Sequence, residues 1–147
     1  MNQPKLVLYK TIHQYKIHYE REYCNKRIKT FDGIPVFFRK NRFEHCFFES
    51  TKRNKSKDKF SKTRAERIDW IKATLQNPEA KLYQGWDNVK KRNDPFRRVA
   101  VVYENFVVII MIKKRKNKTL SGEFITAFIA DNSINKIRNN PKWKGLK

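Results

Sequence analysis

The chain has 147 residues, and 35 Lys and Arg against 14 Asp and Glu give it a formal charge of +21. So basic a surface draws polyanions, nucleic acid above all, because each neutralised phosphate releases condensed counterions. The longest apolar run, Phe106–Ile112, is far short of the about twenty residues a membrane-spanning helix needs, and the length suits a single domain.

Residues 1–35 read as a basic N-terminal segment. Its opening MNQPKLVLYK lacks the apolar core of a signal peptide, so a cytoplasmic location is expected. Cys24 and Cys46 have no CxxC spacing and no histidine at a ligand offset, so they read as reduced thiols and no metal site is expected. Tyr15, Tyr19 and Tyr23 recur every fourth residue, which suits one face of a short helix; a flexible basic arm is the alternative. Asp32-Gly33 marks a turn, and Val36-Phe37-Phe38 reads as a short strand. A short helix is expected over 41–50 with Phe43 and Phe47 on one side, followed by a charged loop over 51–59.

The strongest helix signal covers 63–75. Thr63 and Glu66 have the spacing of a capping box, Ile68, Ile71 and Leu75 form an apolar stripe, and Asn77-Pro78 ends it. The second half is strand-rich. Strands over 99–103 and 106–113 are joined only by Glu104-Asn105, the length of a tight hairpin. The second of them, FVVIIMI, does not alternate and belongs at the centre of a sheet. A basic loop leads to a strand over 124–130, and a short helix over 133–140 follows. The pattern is α+β.

Alternation sorts the strands by face. Val99, Val101, Tyr103, Phe106, Val108, Ile110 and Ile112 share a face that should pack on helices. Arg98, Ala100, Val102, Val107, Ile109, Met111 and Lys113 share the other, an apolar floor with cations at its rim. On the last strand, Phe124, Thr126 and Phe128 are grouped against Ile125, Ala127 and Ile129. An ordinary buried strand threonine is one reading of Thr126; a hydroxyl donating to a phosphate, with Phe124 or Phe128 stacking on a base, is the other.

No Walker loop and no carboxylate cluster for paired magnesium ions is present, so any cleavage of nucleic acid is expected to proceed without a metal or cofactor. That points to RNA, whose 2′-hydroxyl attacks the neighbouring phosphodiester once a proton acceptor, a proton donor and cations are supplied. His13 and His18 read as surface residues. His45 is the imidazole candidate, because a helix brings Arg42, His45 and Glu49 to one side, with Glu49 orienting the ring and Arg42 on phosphate. Arg64 and Arg67, three apart, present two guanidinium forks to one anion, or else form structural ion pairs. Trp70, Trp86 and Trp143 read as core plugs.

Taken in order, RFEHCFFES, RAERIDWIKATLQNPEA, YENFVVIIMIKK, FITAFIADN and NNPKW resemble the phage- and prophage-associated branch of the barnase–EndoU–colicin–RelE-like nuclease superfamily. The resemblance covers 36–143 and implies a nuclease domain over 36–147, with N-terminal helices on one face of a four-stranded antiparallel sheet and the active site on the other. It implies metal-independent RNase activity against tRNA or mRNA, often as a toxin with an acidic cognate inhibitor. By position, His45, Arg64, Arg67, Lys113 and Thr126 match its motif residues. Phe128 stands where tyrosine is common, and Asp69 where proline is. The sequence expectation is therefore an endoribonuclease using His45, Glu49, Arg64, Arg67, Lys113 and Thr126, with Arg42, Arg98, Lys114, Phe124 and Phe128 on the RNA. A non-catalytic nucleic-acid-binding accessory protein of a mobile element is the alternative.

Overall fold

A computed structural model describes residues 3–50, 58–87, 91–131 and 133–143; of residues 86, 87, 92 and 94–97 it describes the backbone alone. Helix α1 (Ile12–Tyr19) opens on Thr11, whose hydroxyl accepts from the Gln14 N–H while the Gln14 side chain accepts from the Thr11 N–H. It runs into one π-helical turn, Glu20–Cys24, closed by the Asn25 N–H on the Glu20 carbonyl. The expected tyrosine face is present: Tyr15, Tyr19 and Tyr23 are all buried. The ends of this segment are tied down as well, since Val7 N–H donates to the Glu66 carbonyl and the Trp70 indole donates to the Pro4 carbonyl.

The architecture is α+β, with a six-stranded sheet in place of the expected four. Its strands are β1 (Ile28–Lys29), β2 (Pro35–Phe37), β5 (Lys81–Asp87), β6 (Arg92–Tyr103), β7 (Phe106–Lys114) and β8 (Leu120–Ile129), in the order β1-β2-β8-β7-β6-β5. The sheet is mixed rather than antiparallel throughout, because β2 runs parallel to β8. A second sheet pairs β3 (Phe48–Glu49) with β4 (Lys59–Phe60), flanking most of the charged 51–59 stretch, which lies outside the described residues. The hairpin forms in the expected register, Tyr103 opposite Phe106, and Glu104 takes the left-handed φ of 55° that so short a loop demands.

Both faces of the sheet are covered, unequally. The first face, Val99, Val101, Phe106, Val108, Ile110 and Ile112, packs on the tyrosines of α1 and on Phe43, Phe47, Ile68, Ile71 and Leu75 from α2 (Arg42–Phe47) and α4 (Ile68–Gln76). The second face carries a smaller cluster, Tyr83, Ala100, Val102, Val107 and Ala130, capped by Ile134 and Ile137 of α5 (Ile134–Arg138). Trp143 is buried against the first core and its N–H donates to the Leu82 carbonyl. Among the described residues no helix is long and apolar enough to cross a membrane.

Three local expectations change. The helix over 63–75 is two helices, α3 (Lys62–Ala65) and α4, separated at Glu66-Arg67. Its cap is Ser61, which accepts from the Arg64 N–H, rather than Thr63. His18 is buried rather than exposed: its ring lies 2.9 Å from the Tyr9 hydroxyl and 2.7 Å from Asp69 Oδ1, so Asp69 holds the N-terminal helix against α4.

Candidate active site

Strand β8 organises the site. Cross-strand partners share a face, so Ser121, Glu123, Thr126 and Phe128, opposite Lys113, Met111, Ile109 and Val107, all lie on the second face. Between Thr126 and Phe124 the register shifts: Ile109 opposes Thr126, but Ile110 opposes Phe124. The extra residue is a β-bulge at Ile125, and it reverses the alternation. Phe124 therefore turns into the first core, 0% exposed and stacked 4.8 Å from Phe38, so it offers no face to a base. Phe128 and Thr126 keep the second face and remain partly exposed.

Pairing with β2 stops at Phe37–Glu123, and α2 and α3 take over beside the rest of β8. The Cys46 thiol of α2 donates to the Ala127 carbonyl, 3.6 Å away, which caps that strand edge. Three guanidinium groups arrive along it. Arg64 donates to the Cys46 carbonyl at 3.1 Å, faces the Glu49 carboxylate at 3.8 Å, and places its Cζ 6.0 Å from the Phe128 ring centre. Arg39 forms an ion pair with Glu123, whose other oxygen lies 3.9 Å from Arg42. The Glu123 side chain is 14% exposed, and the buried Nε of Arg42 makes no hydrogen bond.

His45 sits one turn after Arg42 on α2 and is partly buried. The helical route by which Glu49 was to orient it is gone, because α2 ends at Phe47 and Glu49 belongs to β3, in register with Lys59. Arg67 does not join Arg64. The break between α3 and α4 turns it away: its Nη1 donates to the Thr63 carbonyl at 2.7 Å and its Cζ lies 5.0 Å from the Trp70 ring centre.

Lys113 is exposed on the second face, but the stretch of β7 from Ile109, opposite Thr126, to Lys113, opposite Ser121, is about 13 Å long. The two suit neighbouring phosphates, not one. Lys114 opposes Leu120, which packs on the first core, so it projects from the helix-covered side. Arg98 is exposed at the β6 rim. Beside it, at the register shift after Gln84, lies Gly85, where a Cβ would come within 2.5 Å of Arg98 Cβ, so the close approach of β5 and β6 depends on that glycine.

Arg39 and Glu123 were not anticipated. The signal was present, since an acidic residue inside the otherwise apolar LSGEFITAFI requires a cationic partner if the strand is buried. Among the described residues no three His, Cys, Asp or Glu side chains gather as metal ligands. The β8 edge thus carries a carboxylate, three guanidinium groups, a hydroxyl and one aromatic ring, with His45 on the neighbouring helix α2. No family model, no curated protein and no solved structure matches the chain.

Proposed function

We propose that the chain is an endoribonuclease whose catalysis runs on its own side chains and on the 2′-hydroxyl of its substrate. The 2′-oxygen bonds to phosphorus as the P–O5′ bond breaks, giving a 2′,3′-cyclic phosphate and a 5′-hydroxyl. One proton leaves the 2′-hydroxyl and one arrives at O5′. Glu123 accepts the first as a carboxylate, and His45 as imidazolium donates the second. Arg39 and Arg42 carry the charge that builds on the non-bridging oxygens, Thr126 donates to one of them, and Arg64 holds a neighbouring phosphate beside Phe128. Phe128 and Arg98 bind the strand around the cut, and Lys113 the next phosphate along.

One observation carries this reading: arginines line the β8 edge, Arg39 and Arg42 at Glu123 and Arg64 at Phe128, and the mostly buried Glu123 carboxylate is an anion that edge already holds. A binding-only accessory protein is favoured by a different one, that Arg64 and Arg67 each already donate to a backbone carbonyl. The two separate in a single experiment. Incubated with a mixed RNA pool and EDTA, the protein yields cyclic-phosphate fragments. His45→Ala and Glu123→Gln each slow the reaction by about 100-fold or more while salt-dependent binding persists. Binding without fragments gives the chain to the accessory reading, and undiminished cutting by His45→Ala removes that residue from the chemistry. A nuclease of this kind in a cell calls for an acidic inhibitor that covers the same arginines.

A further inference from the structure

The second face continues past Glu123 onto β2. In the parallel pairing Phe37 is in register with Glu123, so its ring stands on the same side of the sheet, one strand spacing (about 4.8 Å) away. Phe37 is the most exposed phenylalanine of the described chain, at 53%. The guanidinium carbon of Arg115, from the turn after β7, lies 5.3 Å from its ring centre. Together with Lys29, Pro35 and Arg27 they line a cleft of about 310 Å³. Arg27, Lys29 and Arg115 have no carboxylate partner among the described residues, whereas Lys26, also in the lining, is paired with Glu22 at 2.9 Å.

An exposed ring costs hydrophobic free energy, and three unpaired cations around it add mutual repulsion. Both costs fall when a flat, apolar group carrying a phosphate enters. We infer that this cleft is a base-stacking subsite for single-stranded RNA. A base lies on Phe37 beside the Arg115 plane, and Lys29 and Arg27 hold the adjoining phosphates. A paired base keeps its faces inside its own stack, so the subsite selects unpaired RNA over duplex. The inference deepens the endoribonuclease reading and rests on it for the substrate, because the subsite lies beside the proposed proton acceptor.

Binding is measured with a fluorescent 2′-O-methyl RNA strand of about ten nucleotides, which cannot supply the attacking hydroxyl, and with the same strand annealed to its complement. Phe37→Ala weakens single-strand binding about 10-fold or more, and Phe37→Trp restores it, on the usual worth of one base–aromatic stack. Ile17→Ala, an exposed apolar residue on α1, leaves binding unchanged. Single-strand affinity within about two-fold of wild type in Phe37→Ala overturns the subsite, as does equal affinity of wild type for duplex and single strand. Failure of the cleavage reading looks different: Phe37-dependent binding with an uncut RNA pool removes the nuclease and keeps the subsite, and a cut pool with Phe37-independent binding does the reverse.

Discussion

Phe124 and Phe128 occupy the same strand, and simple alternation puts both on one face. They lie on opposite faces because a bulge at Ile125 inserts an extra residue between them. Phe124→Ala therefore opens a cavity among Tyr19, Phe38 and the core beneath, and should cost about 3–5 kcal/mol in a denaturant titration. Phe128→Ala, at a partly exposed ring, should cost clearly less; equal losses would place both rings in the core. The strands without a bulge were legible residue by residue. The face assignments from Val99 to Ile112 follow from period-two alternation, and all but that of Met111, which joins neither cluster, are matched by the two observed clusters. The site was legible only in pieces. His45, Arg64, Arg42, Thr126 and Phe128 were proposed one by one from sequence, but Arg39 with Glu123, the pair that ties β8 to the segment before α2, needs the parallel strand pairing to meet.

At the scale of elements, periodicity proved more informative than caps. The fourfold tyrosine spacing from Tyr15 to Tyr23 marks the buried side of α1 even though the helix widens to a π turn before its end. The Thr63–Glu66 spacing looked like a capping box, yet Ser61 takes the role because β4 delivers the chain two residues earlier. Tyr23 then joins the elements. Its hydroxyl donates to the Ile68 carbonyl and accepts from the Lys72 N–H, an i,i+4 pair of α4. Burial pushes the phenol of Tyr23 far above its ordinary value, and that of Tyr19 likewise. The folded chain thus keeps protons that the unfolded chain releases above about pH 10. Stability is complete below that pH and falls as pH rises further, because the unfolded state then binds fewer protons. Alkaline unfolding followed by circular dichroism should show this limb. Tyr23→Phe should be about 1–3 kcal/mol less stable at neutral pH, with a shallower alkaline fall. An unchanged limb would mean that Tyr23 ionises freely in the native state.

For the molecule as a whole, charge and topology act together. The sheet sends its cations to different sides: Lys113, Arg115 and Arg98 to the second face, Lys114 to the first. Affinity for single-stranded RNA should fall linearly with the logarithm of salt concentration, by about 0.7 per phosphate contacted. Lys113→Ala should reduce that slope by about one contact and Lys114→Ala should leave it unchanged, measured by fluorescence anisotropy across a salt series. The reverse result would move the RNA to the helix-covered side. Strand β5 and the start of β6 went unread in the sequence, because Lys81–Asp87 is rich in polar and charged residues and Arg92–Tyr103 contains a proline. Lys81–Gln84 is held by pairing with the buried Val99–Val102, and the start of β6 by pairing back onto Gly85–Asp87, which overrides local propensity.

Local chemistry by itself determined that this chain is basic and α+β, that FVVIIMI is a central strand, that Glu104-Asn105 closes a hairpin, and that the tyrosine-bearing helix has one buried side. Those features depend on spacing along the chain, which the sequence displays directly. Tertiary structure alone decided that β2 lies parallel to β8, that a bulge sends Phe124 inward, that a break between α3 and α4 parts Arg64 from Arg67, and that Arg39, Arg42 and Glu123 share an edge. The strand pairing, the bulge and the shared edge each rest on contacts between residues far apart in sequence, and the helix break sits where Glu66 accepts from the distant Val7 N–H. The free energy of burying such contacts together selects among local alternatives that are nearly equal on their own.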